Sequence, residues 1–145
     1  MDTTFEQYIK LVQRFEGLRL RAYPDQIGVW TCGWGATGEG VTPTTIWTRE
    51  QADARLLKDA LLYFTGTQNL LPMLNGSALV AVSDFAYNLG LTRLKTSTLR
   101  KKILRGYYKD AANEFGKWVR AGGSILQDLV MRRGIEKNLF LQEYQ

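Results

Sequence analysis

Two acidic residues and a threonine lie close together in the first third of the chain and could share one reaction. Glu16 ends a helical pattern, where the helix dipole and burial against Phe15 would both favour the neutral carboxyl. Asp25 lies in a turn open to water, where it should stay ionised. Thr31 carries a hydroxyl that can hold a water molecule. A neutral carboxylic acid beside a carboxylate is what glycoside hydrolysis requires.

Each of these residues also has an ordinary structural explanation. Glu16 can be a solvated residue of a last helical turn, and Asp25 can bond only to nearby backbone N–H groups. With a period of two, Thr31 shares a strand face with Gly33 and Gly35. That face would leave bare surface that a polymer could approach, but glycines can equally mark a twisted or bulged strand.

The composition excludes several kinds of catalytic site. The 145 residues include no histidine and a single cysteine, Cys32. Ser-His-Asp and Cys-His nucleophiles, zinc sites built from His and Cys, and disulfides within the chain are therefore all impossible. Proton transfer must use Asp, Glu, Lys or Tyr, and we expect no metal and no cofactor.

The elements that position these residues can be predicted from periodicity. Apolar residues with helical spacing from Phe5 to Phe15 predict a first helix that ends at Glu16, with Gly17 as its C-terminal cap. Alternation then predicts a strand from residue 18 to 23, a turn over 24–28 and a returning strand over 29–34. A glycine-rich loop follows, from residue 35 to 43.

The rest of the chain reads as helices in one domain, residues 1–145. A capping box at Thr48 and Gln51 opens a helix that ends near Gly66, and Ser77 caps an apolar helix that Gly90 stops. Three more are predicted at roughly 97–105, 108–119 and 125–141, the last opened by a capping box at Ser124 and Gln127. The fold class is therefore α+β, mainly helical, with one small sheet near the N-terminus.

Charge is distributed unevenly along the chain. Residues 1–90 contain 7 basic and 9 acidic side chains, whereas residues 91–145 contain 12 basic and 5 acidic ones. A basic half suits a polyanionic partner, such as cell wall or nucleic acid, or a solvated surface. The cations that could form a basic stripe are Lys95, Arg100, Lys101, Lys102, Arg105 and Lys109. Only Tyr107 and Tyr108 are interleaved, and no nucleic-acid motif is present, so we expect no nucleic-acid partner.

The residues around the three candidates resemble a known family. The stretches EGLRLRAYPD, from Glu16, and GVWTCGWG, from Gly28, are similar to the signature of the bacteriophage lysozymes or endolysins, glycoside hydrolase family 24. In that family Glu, Asp and Thr recur with eight and then five residues between them, as Glu16, Asp25 and Thr31 do here. Later segments, among them DFAYNLG from Asp84 and RRGIE from Arg132, are also similar and in the same order.

The resemblance implies a lysozyme-like fold, with a small β-sheet lobe and a helical lobe joined by a helix and a cleft between them. It also implies Glu16 as general acid, Asp25 as general base and Thr31 as the residue that positions water. Arg132 and Arg133 fall where family members place basic residues on the last long helix. Either one of them pairs with Glu16, which would oppose the rise in its pKa, or both face solvent.

Three further expectations concern the site. Tyr23, Trp30, Trp34 and Trp118 are candidates for stacking on sugar rings, with Trp34 and Tyr23 preferred, although core packing is the commoner role of such aromatic residues. Members of the family commonly have a histidine where this chain has Ala36. We expect that difference to cost a structural contact and to change the pH profile without removing activity.

By resemblance, the substrate is peptidoglycan, and the bond cut is the β-1,4 link from N-acetylmuramic acid to N-acetylglucosamine. A lytic transglycosylase would cut the same bond without water, and it would need the acid but not Asp25 and Thr31. No apolar run approaches the roughly 20 residues of a membrane span, so we expect no stable membrane insertion. We expect a monomer, made in the host cytoplasm without a signal peptide and released to the wall through a separate membrane-permeabilising protein.

Overall fold

The first helix, α1, spans Thr4–Glu16 in the computed structural model, which describes residues 1–145. The side chain of Thr3 caps its first turn, and Tyr8 and Val12 bury its apolar face. The helix ends as predicted, because Gly17 adopts a φ of 67° that other residues rarely adopt. Glu16 is thus fixed as the last residue of a helix whose apolar face is buried.

A three-stranded antiparallel sheet follows α1, with its strands in the order β1-β2-β3. These strands are β1 (Arg19–Pro24), β2 (Trp30–Gly33) and β3 (Ala36–Thr37). The predicted hairpin is confirmed, with Tyr23 opposite Thr31 in the register. The short strand β3 lies inside the predicted glycine-rich loop, where Ala36 pairs with Cys32.

The glycines after Thr31 do not leave bare surface. A Cβ atom on Gly33 would lie 2.9 Å from the Trp47 ring, and one on Gly35 would overlap the carboxyl group of Glu16. Both glycines have positive φ angles, 65° and 81°. The prediction of a face open to a polymer is therefore wrong at Gly33, where the Trp47 ring fills the space, whereas Gly35 packs on the Glu16 carboxyl and is only half-buried.

Helix α2 spans Arg49–Leu70 and connects the sheet to the helical lobe. The predicted capping box is present: the Thr48 hydroxyl accepts from the backbone of Gln51, whose side chain accepts from the backbone of Thr48. The predicted end near Gly66 is wrong. That glycine lies inside the helix, where its missing side chain makes room for Leu91.

Helix α3, Gly76–Leu89, is the centre of the core, with ten buried residues from Ala78 to Tyr87. It packs against α1 and α2. Asn75 rather than Ser77 precedes its first turn, and the Ser77 hydroxyl instead donates to Glu143 at 3.1 Å. Gly90 ends the helix as predicted.

The following segment folds into shorter pieces than predicted. It contains α4 (Leu91–Thr96), α5 (Thr98–Leu104), α6 (Tyr108–Ala112) and a single 3₁₀ turn at Phe115–Lys117. Helix α5 and its Ser97 cap are confirmed. Helix α4 is additional, and the single helix predicted over 108–119 is wrong.

The start of the last helix was also predicted incorrectly. Residues Arg120–Ala121 and Ser124–Ile125 form a two-stranded hairpin, β4 and β5, whose turn is made by Gly122 and Gly123 with φ angles of 58° and 83°. Ser124 therefore lies in a strand and caps nothing. Helix α7 spans Gln127–Gln142 and has no side-chain cap.

The elements form two packed groups of apolar side chains. The larger core is built around α3 and includes Phe85, Phe115 and Phe140, and the smaller core joins α1 to α2 through Tyr8 and Leu56. The predicted α+β, mainly helical class with a small sheet lobe is confirmed. None of the helices combines the length and the apolar character needed to cross a membrane.

Candidate active site

A cleft of about 490 Å³ separates the sheet lobe from the helical lobe. Glu16, Asp25 and Thr31 all line it. The helical lobe contributes side chains from α3, α4, α7 and the β4-β5 hairpin, among them Asn88, Arg93, Arg120 and Arg132. The structure thus brings the three candidate residues to one cavity, although they come from a helix end, a turn and a strand.

The turn after β1 holds Asp25 by one of its two carboxylate oxygens. Its Oδ1 accepts hydrogen bonds from the backbone N–H groups of Ile27 at 3.0 Å and Val29 at 2.9 Å. The local bonding expected of a turn aspartate is therefore present. No group of the protein donates to Oδ2, which leaves that oxygen able to accept a proton from a ligand or water.

The backbone of Val29 links Asp25 to Thr31. Its N–H donates to the Asp25 carboxylate, and its carbonyl accepts from the Thr31 hydroxyl at 2.9 Å. Because that hydroxyl proton is used by the backbone, Thr31 can offer a ligand only acceptor capacity. Thr31 is 5% exposed, so its oxygen is held in one place at the cleft wall.

The Glu16 side chain lies between the sheet and α7 and is only 19% exposed. Gly35 packs against it, and its Oε2 accepts from Arg132 Nη1 at 2.8 Å. Burial raises the pKa of the Glu16 carboxyl above its ordinary value, and the charge of Arg132 opposes this rise without cancelling it. A proton is thus retained at this carboxyl to a higher pH than on an exposed glutamate.

Arg132 and Arg133 are both buried, so the alternative that they face solvent is wrong. Arg132 pairs with Glu16 and also with Asp84, whose two oxygens accept from its Nε and Nη2 at 2.8 Å each. Burial alone would raise the pKa of Asp84, but the facing Arg132 and neighbouring hydrogen bonds hold it below its ordinary value. Asp84 is therefore a buried carboxylate.

Arg133 belongs to a second buried pair. Its Nη2 donates to Glu136 and to Asn88 Oδ1, both at 2.9 Å. Burial and the nearby Asp84 raise the pKa of Glu136 well above its ordinary value. No local pattern assigns a role to Asp84, Glu136 or Asn88. The available signal is a charged residue, Asp84, in the middle of a predominantly apolar helix.

The two preferred aromatic candidates for sugar stacking lie in different places. Tyr23 lines the cleft, and the guanidinium of Arg19 lies 4.4 Å from the centre of its ring. Trp34 is absent from the cleft lining, and its indole N–H donates to Asp53 at 2.8 Å. Its backbone carbonyl accepts from the hydroxyl of Tyr87, which lines the cleft. Trp34 therefore contacts a cleft residue without lining the cleft itself.

The amino-acid sequence matches one protein family over most of its length. The family model described as phage lysozyme matches residues 13–136. The chain is 39% identical over 137 residues to an endolysin of Bacillus phage B103, covering 92% of this chain and 52% of that protein. It is 38% identical over 141 residues to an endolysin of Acyrthosiphon pisum secondary endosymbiont phage 1, covering 93% and 95%.

Solved structures show the same fold. The muramidase domain of SpmX from Asticaccaulis excentricus superimposes with a TM-score of 0.80 at 29% identity, covering 92% of this chain and 94% of that one. The active form of the P1 phage endolysin Lyz gives a TM-score of 0.83 at 26% identity, covering 97% and 85%.

Proposed function

The chain belongs to the phage lysozyme family, and we propose on that basis that it is a muramidase that hydrolyses peptidoglycan between N-acetylmuramic acid and N-acetylglucosamine. The observation that carries the proposal is the cleft in which Glu16, Asp25 and Thr31 meet. Endolysins and a muramidase domain are among the similar proteins. The substrate follows from these likenesses and from the carboxyl groups of Glu16 and Asp25 in the cleft.

Glu16 is the general acid in this proposal. Burial raises its pKa, so the side chain keeps its proton to a higher pH than an exposed glutamate does, and a protonated carboxyl can donate to the glycosidic oxygen as the bond breaks. Arg132 then stabilises the carboxylate that remains after proton transfer, because it already contacts Glu16 Oε2. The same contact limits how far the pKa can rise.

Asp25 is the general base, acting on a water molecule held with Thr31. Asp25 Oδ2 and Thr31 Oγ1 are both free to accept, and the Thr31 proton is already donated to the Val29 carbonyl. A water that donates one hydrogen to each of them presents its lone pairs elsewhere, as a nucleophile must. Because Asp25 acts through water, we propose an inverting mechanism, with the carboxyl groups roughly 6.5–9.5 Å apart.

The biological role follows from the similar endolysins. We propose that the protein acts on the bacterial cell wall as a monomer during phage lysis, after release through a separate membrane-permeabilising protein. Several similar phage proteins are named SAR-endolysins. Expression in bacteria with and without a pore-forming protein tests the route, since lysis without a pore would contradict release by a separate protein.

The fragments that the enzyme releases from purified peptidoglycan test which reaction it catalyses. A hydrolase releases muropeptides that end in a reducing N-acetylmuramic acid, whereas a lytic transglycosylase releases 1,6-anhydro ends that are lighter by one water. Mass spectrometry of the digest distinguishes them. We expect reducing ends, and anhydro ends would assign Asp25 and Thr31 to structural roles.

A further inference from the structure

The guanidinium of Arg132 bonds to two carboxylates, and it makes more hydrogen bonds to Asp84 than to Glu16. Two of its donors, Nε and Nη2, contact the two oxygens of Asp84, and only Nη1 contacts Glu16. We propose that Asp84 is a positioning residue that acts on Glu16 through Arg132. This proposal rests on the proposed role of Glu16 as the acid. Asp84 is not among the three candidate catalytic residues, and it does not line the cleft.

The geometry gives Asp84 control of the orientation of Arg132. Two parallel hydrogen bonds between a guanidinium and a carboxylate fix the plane and the rotation of the guanidinium group. Asp84 has no exposed surface and lies in the central, almost wholly buried part of α3, so it cannot turn to follow Arg132. The remaining donor, Nη1, is therefore aimed at Glu16 before any substrate arrives.

Asp84 also moderates the charge that Glu16 meets. An unopposed guanidinium at 2.8 Å would favour the ionised form of the acid strongly. The negative charge of Asp84 partly cancels that of Arg132 and raises the pKa of Glu16. One buried residue thereby allows Arg132 to contact the acid without taking away its proton in the resting enzyme.

The other charged and titratable groups near Glu16 do not replace this effect. Around Glu16 and Arg132 these other groups are Arg133 and Glu136 from α7, Tyr87 from α3, Tyr23 from β1 and, across the cleft, Asp25. The arginines keep their protons, and burial raises the pKa values of both tyrosines above their ordinary range. Glu136, whose pKa burial and Asp84 raise, bonds to Arg133 and not to Glu16. The alkaline limb of the pH profile, where Glu16 loses its proton, therefore reports the state of this acid.

The substitution Asp84→Asn tests the proposal by its effect on the pH profile. Glu16 would become the only carboxylate in contact with Arg132, so we expect its pKa to fall and the alkaline limb of kcat/KM to move down by about one unit. At a pH on that limb the loss would be about tenfold. A loss of activity that is uniform across pH, or a limb that moves upward, would overturn the proposal.

Glu114→Gln is the matched control for removing a buried carboxylate. Glu114 is 4% exposed, bonds to Lys102 and Lys117 at 2.8 Å each, and lies outside the cleft. Because it touches neither Arg132 nor Glu16, its replacement should lower stability and leave the alkaline limb in place. A limb that moves equally in this control would show a general effect of charge and overturn the specific role of Asp84.

A crystal structure of the Glu16→Gln variant provides a second test that does not require Asp84→Asn to fold. If Asp84 holds Arg132, both of its contacts with the guanidinium persist when Glu16 loses its charge. Rotation of Arg132 away from Asp84 in that variant would overturn the proposal. Wild-type activity of Glu16→Gln on peptidoglycan would instead contradict the proposed function, so the two failures are distinguishable.

Discussion

Glu16 must keep a proton that an exposed glutamate would lose, and its surroundings explain how it does so. Burial between Gly35 and α7 disfavours the carboxylate, while Arg132 limits the effect. We predict that Glu16→Gln lowers wall-lysing activity by about 10²–10⁴-fold, because the amide keeps the shape but has no proton to transfer. Turbidity assays on purified walls measure this loss, and near wild-type rates would end the assignment.

The same substitution should have an opposite effect on stability. Since the pKa of Glu16 is raised in the folded state, the native protein binds this proton more tightly than the unfolded chain does. Its ionisation therefore costs stability as pH rises from the ordinary glutamate value through the raised one. We predict that Glu16→Gln is as stable as the wild type or more so at neutral pH, with the gain disappearing in acid. Thermal unfolding at several pH values measures it, and a gain that is largest in acid would contradict the sign.

The hydroxyl of Thr31 should matter as an acceptor in a fixed position. Thr31→Ser keeps the oxygen and its bond to the Val29 carbonyl, whereas Thr31→Val keeps the shape and removes both. We predict that the serine variant retains most of the activity and that the valine variant loses about 10²-fold, as misplaced reacting groups do. Steady-state kinetics on soluble glycan fragments compare them. Equal activity of the two variants would show that the hydroxyl does not hold the water.

Among the elements, the connection from β2 to β3 sets the space in which Glu16 lies. Gly35 has a φ of 81° and touches the Glu16 carboxyl, whereas Gly38 has a φ of 76° and open space around it. We predict that Gly35→Ala costs more than tenfold in activity, because its Cβ displaces the acid. Gly38→Ala is the matched control, since it introduces only the backbone strain, about 1–2 kcal/mol. Similar kinetics for both variants would show that close packing on Glu16 is unimportant.

Local sequence patterns correctly predict the elements on which the candidate catalytic residues lie. Helix α1 and the hairpin around Asp25 follow from periodicity and turn residues, because their bonds form within a few residues. The capping pattern at Ser124 was misleading, since the paired glycines before it form a hairpin. The Asp84–Arg132 contact joins residues 48 positions apart, and no local pattern reveals such a partner. The sequence thus places the acid, and the family resemblance offers Arg132 or Arg133 as its partner, but no pattern points to Asp84.

At the scale of the whole molecule, the basic C-terminal half is less positive at its surface than its composition suggests. Arg132 and Arg133 are buried in ion pairs, and Lys102 and Lys117 share Glu114. Two guanidinium donors of Arg100 are engaged by backbone carbonyls. The exposed cations of the basic stripe that form no ion pair are Lys95, Lys101, Arg105 and Lys109. They remain available to an anionic wall.

We predict that lysis of whole walls slows as salt rises, because screening over roughly 8 Å at physiological ionic strength weakens this attraction. The double substitution Lys101→Glu with Arg105→Glu should lower the rate at low salt and flatten the salt dependence. Lys58→Glu, on the exposed face of α2 in the acidic half, is the control for a surface charge change. If the lysis rate of the wild type does not change with salt, the basic stripe is only a solvated surface.

The most direct test of the account is the anomeric configuration of the first product. If Asp25 activates a water held by Thr31, water attacks from the face opposite the leaving group and the new reducing end is initially α. Early-time proton NMR of a digest of β-linked glycan distinguishes the anomers before they equilibrate. We expect the α anomer first. A product that is β at first would make Asp25 a nucleophile and contradict the proposed role of the water.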